Sequence, residues 1–500
     1  MRILRLVSFS VLCGLLSIGY ASPSRADGPQ RPLLFIPGIL GSKLSDKAGN
    51  TVWGDRNSFA NYGSLDLAPG SDGGELRASG LISSINVLGP FWTIHQYDDL
   101  LNLLHDLGYE DGKTLFVFPY DWRLSNFETA NRMDRFIQKT AALRESNFDI
   151  VAHSMGGLVT RIWMAKTRST AKVHKVIYLS TPFLGSMNSL ETISSGWGPF
   201  ENLVAGGITR IRHVTLSFPS IYELFPTYAN CCRAGSKENF TTFDVLDANN
   251  WSGTWLPAEY LSGGARRSVL ESGLQNARAL RSLIATQPSG TEQIRITGDI
   301  LETKLWLYTP SLAASPDQWT FTNSRGDGTV PIWSAANNFM SLEGTDPSFV
   351  EHATVFADKY VRSRLARELI PGVAPPVRGN SLGEVVTPDG IRHLSSVRAK
   401  IDPPLVRPGG QASAQIELSF VEPTSAGAVV PVVEMNRDAN MDRIAVSEVT
   451  SPQDLKDHRL IYRAVLTAPQ REDTYEVKVT IADQGTTSLY LTAARQPPTK

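Results

Sequence analysis

Ser154 stands in the run Phe148-Asp149-Ile150-Val151-Ala152-His153-Ser154-Met155-Gly156-Gly157-Leu158, apolar up to the serine and small on either side of it. The pattern predicts a strand, a sharp turn and a helix. The turn strains the serine backbone and tolerates only small neighbours, here Ala152 and Gly156, and it lifts Oγ above a sheet. Alanine replaces the commoner first glycine and keeps that side chain small. After the turn, Leu158, Ile162 and Ala165 recur at helical spacing. A buried strand-turn-helix with an incidental serine is the plainer alternative, because short serine-glycine matches are common.

A serine hydroxyl is a weak nucleophile and needs a base, which needs a carboxylate to hold its tautomer. Where a turn of this kind carries the nucleophile, the chain order is Ser, acid, His. Downstream of Ser154 stand His174, His213, His352, His393 and His458. His174 precedes a strand and His213 comes too early for that order, while His393 and His458 fall beyond a proline-rich break. His352 remains, in Glu351-His352-Ala353-Thr354. Two residues compete for the acid. Asp299 directly ends a strand, and Asp327 sits in the glycine-flanked loop Arg325-Gly326-Asp327-Gly328-Thr329-Val330-Pro331. Spacing alone leaves the two close. An oxyanion hole requires two backbone N–H groups. Met155 supplies one, and Ile39, in Pro37-Gly38-Ile39 after the first strand, is the candidate for the other. The chemistry is attack on an ester carbonyl, loss of an alcohol, and an acyl-enzyme that passes to water or a second alcohol.

The elements that position these residues alternate. Leu33–Ile36 reads as a strand ending in a glycine-containing loop, and a hairpin turns near Ala48-Gly49-Asn50. Residues 56–90, rich in Gly, Ser and Asp, read as a long surface loop. Then come a helix over 97–107, a strand over 115–118, a helix over 127–144, the serine strand and helix, and a strand over 176–180. Such alternation predicts a parallel sheet covered on both faces. It lapses over about 183–290, read as an inserted cap, and resumes at Ile294–Gly298 with a closing helix over 355–369. Residues 371–382 read as a linker, and 383–494 as a small β-sandwich with an accessory or passive role.

The 500 residues carry a net charge of -1 and 19% charged residues, with no basic stripe, which argues against a nucleic-acid partner. Arg2 and Arg5 precede an apolar stretch from Leu6 to Ile18, so residues 1–26 read as a signal peptide for export, with an uncleaved anchor as the alternative. Outside it only Cys231 and Cys232 occur; adjacent cysteines rarely pair because the ring is strained, which leaves an intermolecular link or a strained vicinal bridge as the alternatives. Scattered histidines without ligand spacing imply no metal, and no cofactor is indicated.

Several stretches together resemble the lecithin:cholesterol acyltransferase-like family of lipases and acyltransferases. They are Phe35–Leu44, Val52-Trp53-Gly54-Asp55, Leu107-Gly108-Tyr109, Pro119-Tyr120-Asp121-Trp122-Arg123, Val151–Gly157, Ser217–Ser220 and Gly326–Pro331. The resemblance covers roughly 31–370 and implies an α/β-hydrolase with an inserted cap. It favours Asp327 over Asp299 as the acid, supports His352, Ile39 and Met155, and implies an ion-pair scaffold at Asp121-Trp122-Arg123. It implies an acyl-lipid substrate at a membrane or lipid interface. Unlike mammalian relatives, the chain has no cysteine in its N-terminal loop, so lipid contact falls to the cap, where Trp197, Phe200, Leu203 and Val204 sit among glycines. A non-catalytic lipid- or surface-binding protein on the same scaffold is the alternative from another class, and an esterase for small soluble esters the alternative within this one.

Overall fold

Leu33-Leu34-Phe35-Ile36 is buried at every position, as is the whole of Phe148–His153. Strands that are apolar on both sides belong to a sheet covered on both faces. In the computed structural model they are central strands of such a sheet. The structure describes residues 31–370 and 383–493, apart from short breaks at 56, 69–70, 83, 87–92, 96, 168–171, 198, 252, 262, 287–289, 300, 339–344, 349–350, 388–389, 403–404, 421–423, 438–439, 457, 472 and 482–484. The expected signal segment and linker lie outside the described residues.

Six strands form the central sheet in the order Leu115–Val117, Leu33–Ile36, Phe148–His153, Val173–Leu179, Glu292–Gly298, Thr345–Ser348. Every neighbouring pair is parallel. Alternate residues serve opposite faces. Leu34, Ile36, Ile150, Ala152, Val176 and Tyr178 join one core with Leu158, Val159 and Ile162 of the helix Met155–Lys166. Leu33, Phe35, Val151, Ile177 and Leu179 join a second core with the helices Asp98–Asp106 and Lys359–Leu369. From Leu33–Ile36 the chain first goes to a strand on one side and later to Phe148–His153 on the other. Such a reversal opens a crevice at the carboxyl ends of the strands. The loops bearing Gly38 and Ser154 both leave the sheet there.

Several elements differ from expectation. The helix expected over 127–144 is two helices, Asn126–Lys139 and Ala141–Glu145, broken at Thr140. The Thr140 hydroxyl donates to the Phe136 carbonyl at 2.9 Å, the local bond by which threonine competes with a helix. The closing helix starts at Lys359, where the Asp358 carboxylate accepts the Val361 N–H at 2.8 Å. Residues 56–90 are not simply a surface loop. Tyr62, Leu65, Leu76 and Ile82 are buried in the main core, and Arg77–Leu81 pairs with the hairpin strand Ser42–Ser45. The Tyr62 hydroxyl meets Thr215 Oγ1 at 2.7 Å, and Arg266 donates to Asp66 at 2.6 Å. Abundant small polar residues had masked these widely spaced apolar anchors.

A four-stranded side sheet runs Phe240–Phe243, Cys232–Gly235, Leu301–Thr309, Thr320–Gly326. Two of its strands come from the segment read as the cap. The other two form an excursion after Gly298 that the sequence reading left without structure. Cys231 and Cys232 are buried and bonded to each other, the vicinal bridge that the sequence left open. Over residues 383–493, two five-stranded sheets share one apolar core, including Ile401, Ile416, Leu418, Val433, Leu460, Val477 and Leu491. Arg325 Nη1 donates to the Ile401 carbonyl at 2.9 Å, joining this unit to the strand that leads to Asp327.

Glu223 closes the start of Asn126–Lys139. Its carboxylate accepts the Ser125 hydroxyl at 2.6 Å and the Asn126 N–H at 2.7 Å. Burial outweighs these bonds and pushes the carboxyl up to about 7 from an ordinary 4.5. The folded state therefore holds this proton more tightly than the unfolded chain does. Stability should be complete below pH 4.5 and fall as pH rises towards 7, by on the order of 3 kcal/mol. Glu223→Gln, followed by denaturant melts across this range, should flatten that slope.

Candidate active site

Ser154 has φ 52° and ψ −127°, a backbone region that L-residues avoid. Its own N–H donates to the Leu179 carbonyl at 2.8 Å, pinning the turn to the neighbouring strand. Small residues make the turn possible. A Cβ at Gly156 would lie 2.4 Å from the Pro37 carbonyl oxygen, and one at Gly157 would lie 2.0 Å from Thr181 Oγ1. The elbow helix thus packs directly on the end of the first central strand.

His352 Nε2 lies 2.9 Å from Ser154 Oγ, and His352 Nδ1 lies 2.8 Å from Asp327 Oδ2. A carboxylate only accepts, so Nδ1 carries the ring proton and Nε2 is left to accept from the serine. Asp327 is fully buried. Its second oxygen accepts the N–H groups of Val330 at 2.6 Å and Thr329 at 3.0 Å, a turn that Gly328 closes with φ 86°. The His352 N–H donates to the Asp327 carbonyl at 2.9 Å, so the two residues are tied through backbone as well as side chain.

Asp299 is engaged elsewhere. Arg325 Nε donates to it at 2.6 Å, and Arg325 Nη2 pairs with its other oxygen. Both side chains are buried. The two acids that spacing left close are separated by these partners: one faces His352, the other closes a buried ion pair.

The loop Pro37–Ser42 faces the elbow and is held at each turn. Tyr120 Oη donates to the Pro37 carbonyl at 2.9 Å, Trp53 Nε1 to that of Leu40 at 3.1 Å, and Trp122 Nε1 to that of Ser42 at 3.2 Å. The Gly38 N–H donates to Tyr97 Oη at 2.9 Å. Neither Ile39 N–H nor Met155 N–H has an acceptor among the described residues. Both are available to an oxyanion. Arg123 grips Asp121 through two bonds of 2.9 and 2.7 Å and donates to the Leu65 carbonyl at 2.9 Å. Trp53, Tyr120 and Trp122 lie in motifs legible in the sequence, but their work as loop anchors was not. Tyr97 was legible only as the start of a helix and His153 only as part of the elbow run, with no signal that the two would meet. Among the described residues no cluster of His, Cys, Asp and Glu is arranged to hold a metal.

A methyl group at position 38 would sit 2.9 Å from Ser154 Cβ and 3.4 Å from its Oγ. Gly38→Ala should push the loop off the serine and lower kcat by about 10²-fold, the scale of losing one oxyanion donor. Steady-state rates on a soluble ester, with circular dichroism to verify folding, check this.

The central parallel sheet and the strained serine at its switch point make this an α/β-hydrolase. Residues 52–251 match the model of the family described as lecithin:cholesterol acyltransferase. Two Arabidopsis thaliana proteins are similar. "Phospholipase A(1) LCAT3" is 27% identical over 381 residues, covering 61% of this chain and 83% of that protein. "Lecithin-cholesterol acyltransferase-like 4" is 26% identical over 239 residues, covering 40% of this chain and 43% of that protein. Over residues 52–251 the chain is similar to the lecithin:cholesterol acyltransferase family. Among solved structures, the Tle4–Tli4 complex aligns with a TM-score of 0.45 at 15% identity, over 68% of this chain and 98% of that one. Bacillus licheniformis lipase BlEst2 in mature form aligns at 0.33 and 10%, over 69% and 93%.

Proposed function

We propose that this chain is an exported serine hydrolase of acyl lipids, a phospholipase or lipase able to pass its acyl group to an alcohol. The observation that carries the reading is the continuous Ser154–His352–Asp327 hydrogen-bonded line at the sheet's switch point. His352 Nε2 takes the Ser154 proton as Oγ bonds to the ester carbonyl carbon. The carbonyl oxygen, now negative, is held by the Ile39 and Met155 N–H groups. Collapse breaks the ester C–O bond, and His352 returns the proton to the leaving alcohol. Water or a second alcohol then attacks the acyl-enzyme and gives its proton to His352; the bond from the acyl carbon to Ser154 Oγ breaks, the acid or new ester leaves, and His352 returns the proton to Oγ.

The substrate class rests on relatives named as a phospholipase A(1) and an acyltransferase-like protein. An apolar patch suits a lipid surface: Trp197, Leu203 and Val204, beside and on the short helix Pro199–Val204, are 36%, 76% and 38% exposed. Trp197 leads inward through Phe59 to Trp53, which holds the Leu40 carbonyl. Export rests on the N-terminal basic and apolar run. The two C-terminal sheets are read as an accessory β-sandwich.

Vesicles of labelled phosphatidylcholine containing a sterol, incubated with the protein and with Ser154→Ala, test the reading. Labelled fatty acid that is absent with the variant means hydrolysis, and labelled sterol ester means acyl transfer. No Ser154-dependent product from these vesicles or from neutral glycerides would overturn it.

A further inference from the structure

Tyr97 and His153 form a buried chain of hydrogen bonds that the reaction scheme does not use. Tyr97 Oη accepts the Gly38 N–H at 2.9 Å and lies 3.0 Å from His153 Nδ1. On the far side of that ring, His153 Nε2 lies 3.3 Å from the His352 carbonyl oxygen. The donors sort themselves. A carbonyl can only accept, so Nε2 carries the ring proton and Nδ1 accepts the Tyr97 hydroxyl. Burial and the neighbouring His352 push the His153 imidazole well below its ordinary value, and burial raises the Tyr97 phenol. Both groups therefore stay neutral, as the chain requires.

The surroundings are built for this line. The Tyr97 ring packs edge-on to Phe35 at 5.1 Å and against Phe356 at 5.4 Å, and Phe356 also meets the His153 ring at 5.1 Å. Space for the polar atoms comes from two glycines of the oxyanion loop. A Cβ at Gly41 would lie 2.8 Å from Tyr97 Oη, and one at Gly38 would lie 3.2 Å from His153 Nδ1. One end of the chain holds the peptide preceding Ile39, a proposed oxyanion donor. The other holds the backbone of the proposed base. A buried polar chain of this kind is rigid only when every member is satisfied.

We propose that Tyr97 and His153 are positioning residues that lock the oxyanion loop and His352 into one register about Ser154. Losing either link frees the loop and the base to shift against each other. A misplacement of about 1 Å in such a site can cost about 10²-fold. The effect falls on kcat, because substrate contacts are untouched. The inference rests on the serine-hydrolase reading above.

The test compares the wild type, Tyr97→Phe, His153→Gln, the double variant and Ser154→Ala on p-nitrophenyl butyrate. Rates are taken per serine titrated with a fluorophosphonate, so misfolded protein does not count. Tyr97→Phe removes one oxygen and keeps the ring packing. It should lower kcat by about 10- to 100-fold with KM within about twofold. His153→Gln should do the same, and the double variant should fall no more than about threefold below the worse single, because both break one chain. A kcat for Tyr97→Phe within twofold of wild type would overturn the proposal, as would single losses that multiply in the double variant. Should His153→Gln fail to fold, Tyr97→Phe alone decides by its kcat and KM. Wild-type turnover equal to that of Ser154→Ala would instead sink the serine-hydrolase reading itself.

Discussion

Ser154→Ala should lower kcat on any acyl ester by about 10⁴- to 10⁶-fold, the span seen when a nucleophile is removed from a cooperating triad. Folding should survive, because the side chain makes one hydrogen bond that matters, to His352 Nε2 at 2.9 Å. Alanine at φ 52° is no more strained than serine there, since both carry a Cβ. Residual activity from binding and the oxyanion donors should remain detectable over the uncatalysed rate. KM should change little. The measurement is steady-state turnover beside a thermal melt, and turnover equal to wild type would end the triad assignment.

The second large effect separates the two aspartates. Asp327→Asn keeps the shape of the loop but gives Nδ1 of His352 a neutral partner and can reverse its tautomer. The expected loss is about 10⁴-fold in kcat with little change in melting temperature. Asp299→Asn should do the opposite. It leaves the fully buried Arg325 without its carboxylate, which should cost on the order of 3–5 kcal/mol of stability. Turnover per titrated serine should stay within about threefold, because no reacting atom loses a partner. Paired melts and active-site titrations of the two variants read this contrast directly. Equal losses of kcat in both would mean that the buried ion pair governs His352 as much as the facing carboxylate does.

Much of the site was legible because its chemistry leaves local marks. The strained turn at Ser154 demands small residues at Gly156 and Gly157, where a Cβ would strike the Pro37 carbonyl oxygen and Thr181. The two-sided burial of the two central strands shows as the apolar runs Leu33–Ile36 and Ile150–Ala152. What escaped was structure without a periodic pattern. Residues 56–90 read as loop because Gly, Ser and Asp dominate, although Tyr62 and Leu65 are fully buried. The strands Leu301–Thr309 and Thr320–Gly326 escaped because they pair in a side sheet, away from the alternation that marks the central one.

The sequence by itself determined the elbow, the parallel-sheet alternation, and the chain order of serine, acid and histidine. Each follows from short-range physics: apolar periodicity, the cost of a side chain in a strained turn, and the fixed topology of a crossover. Tertiary structure decided what spacing left open. His352 reaches Ser154 across 198 positions, and Asp327, the acid the family resemblance favours, faces His352 while Arg325 occupies Asp299. Likewise Tyr97 and His153 join the oxyanion loop to the base through bonds spanning 59, 56 and 199 positions. Such pairings depend on strand order and register in space, and no local pattern of residues encodes them.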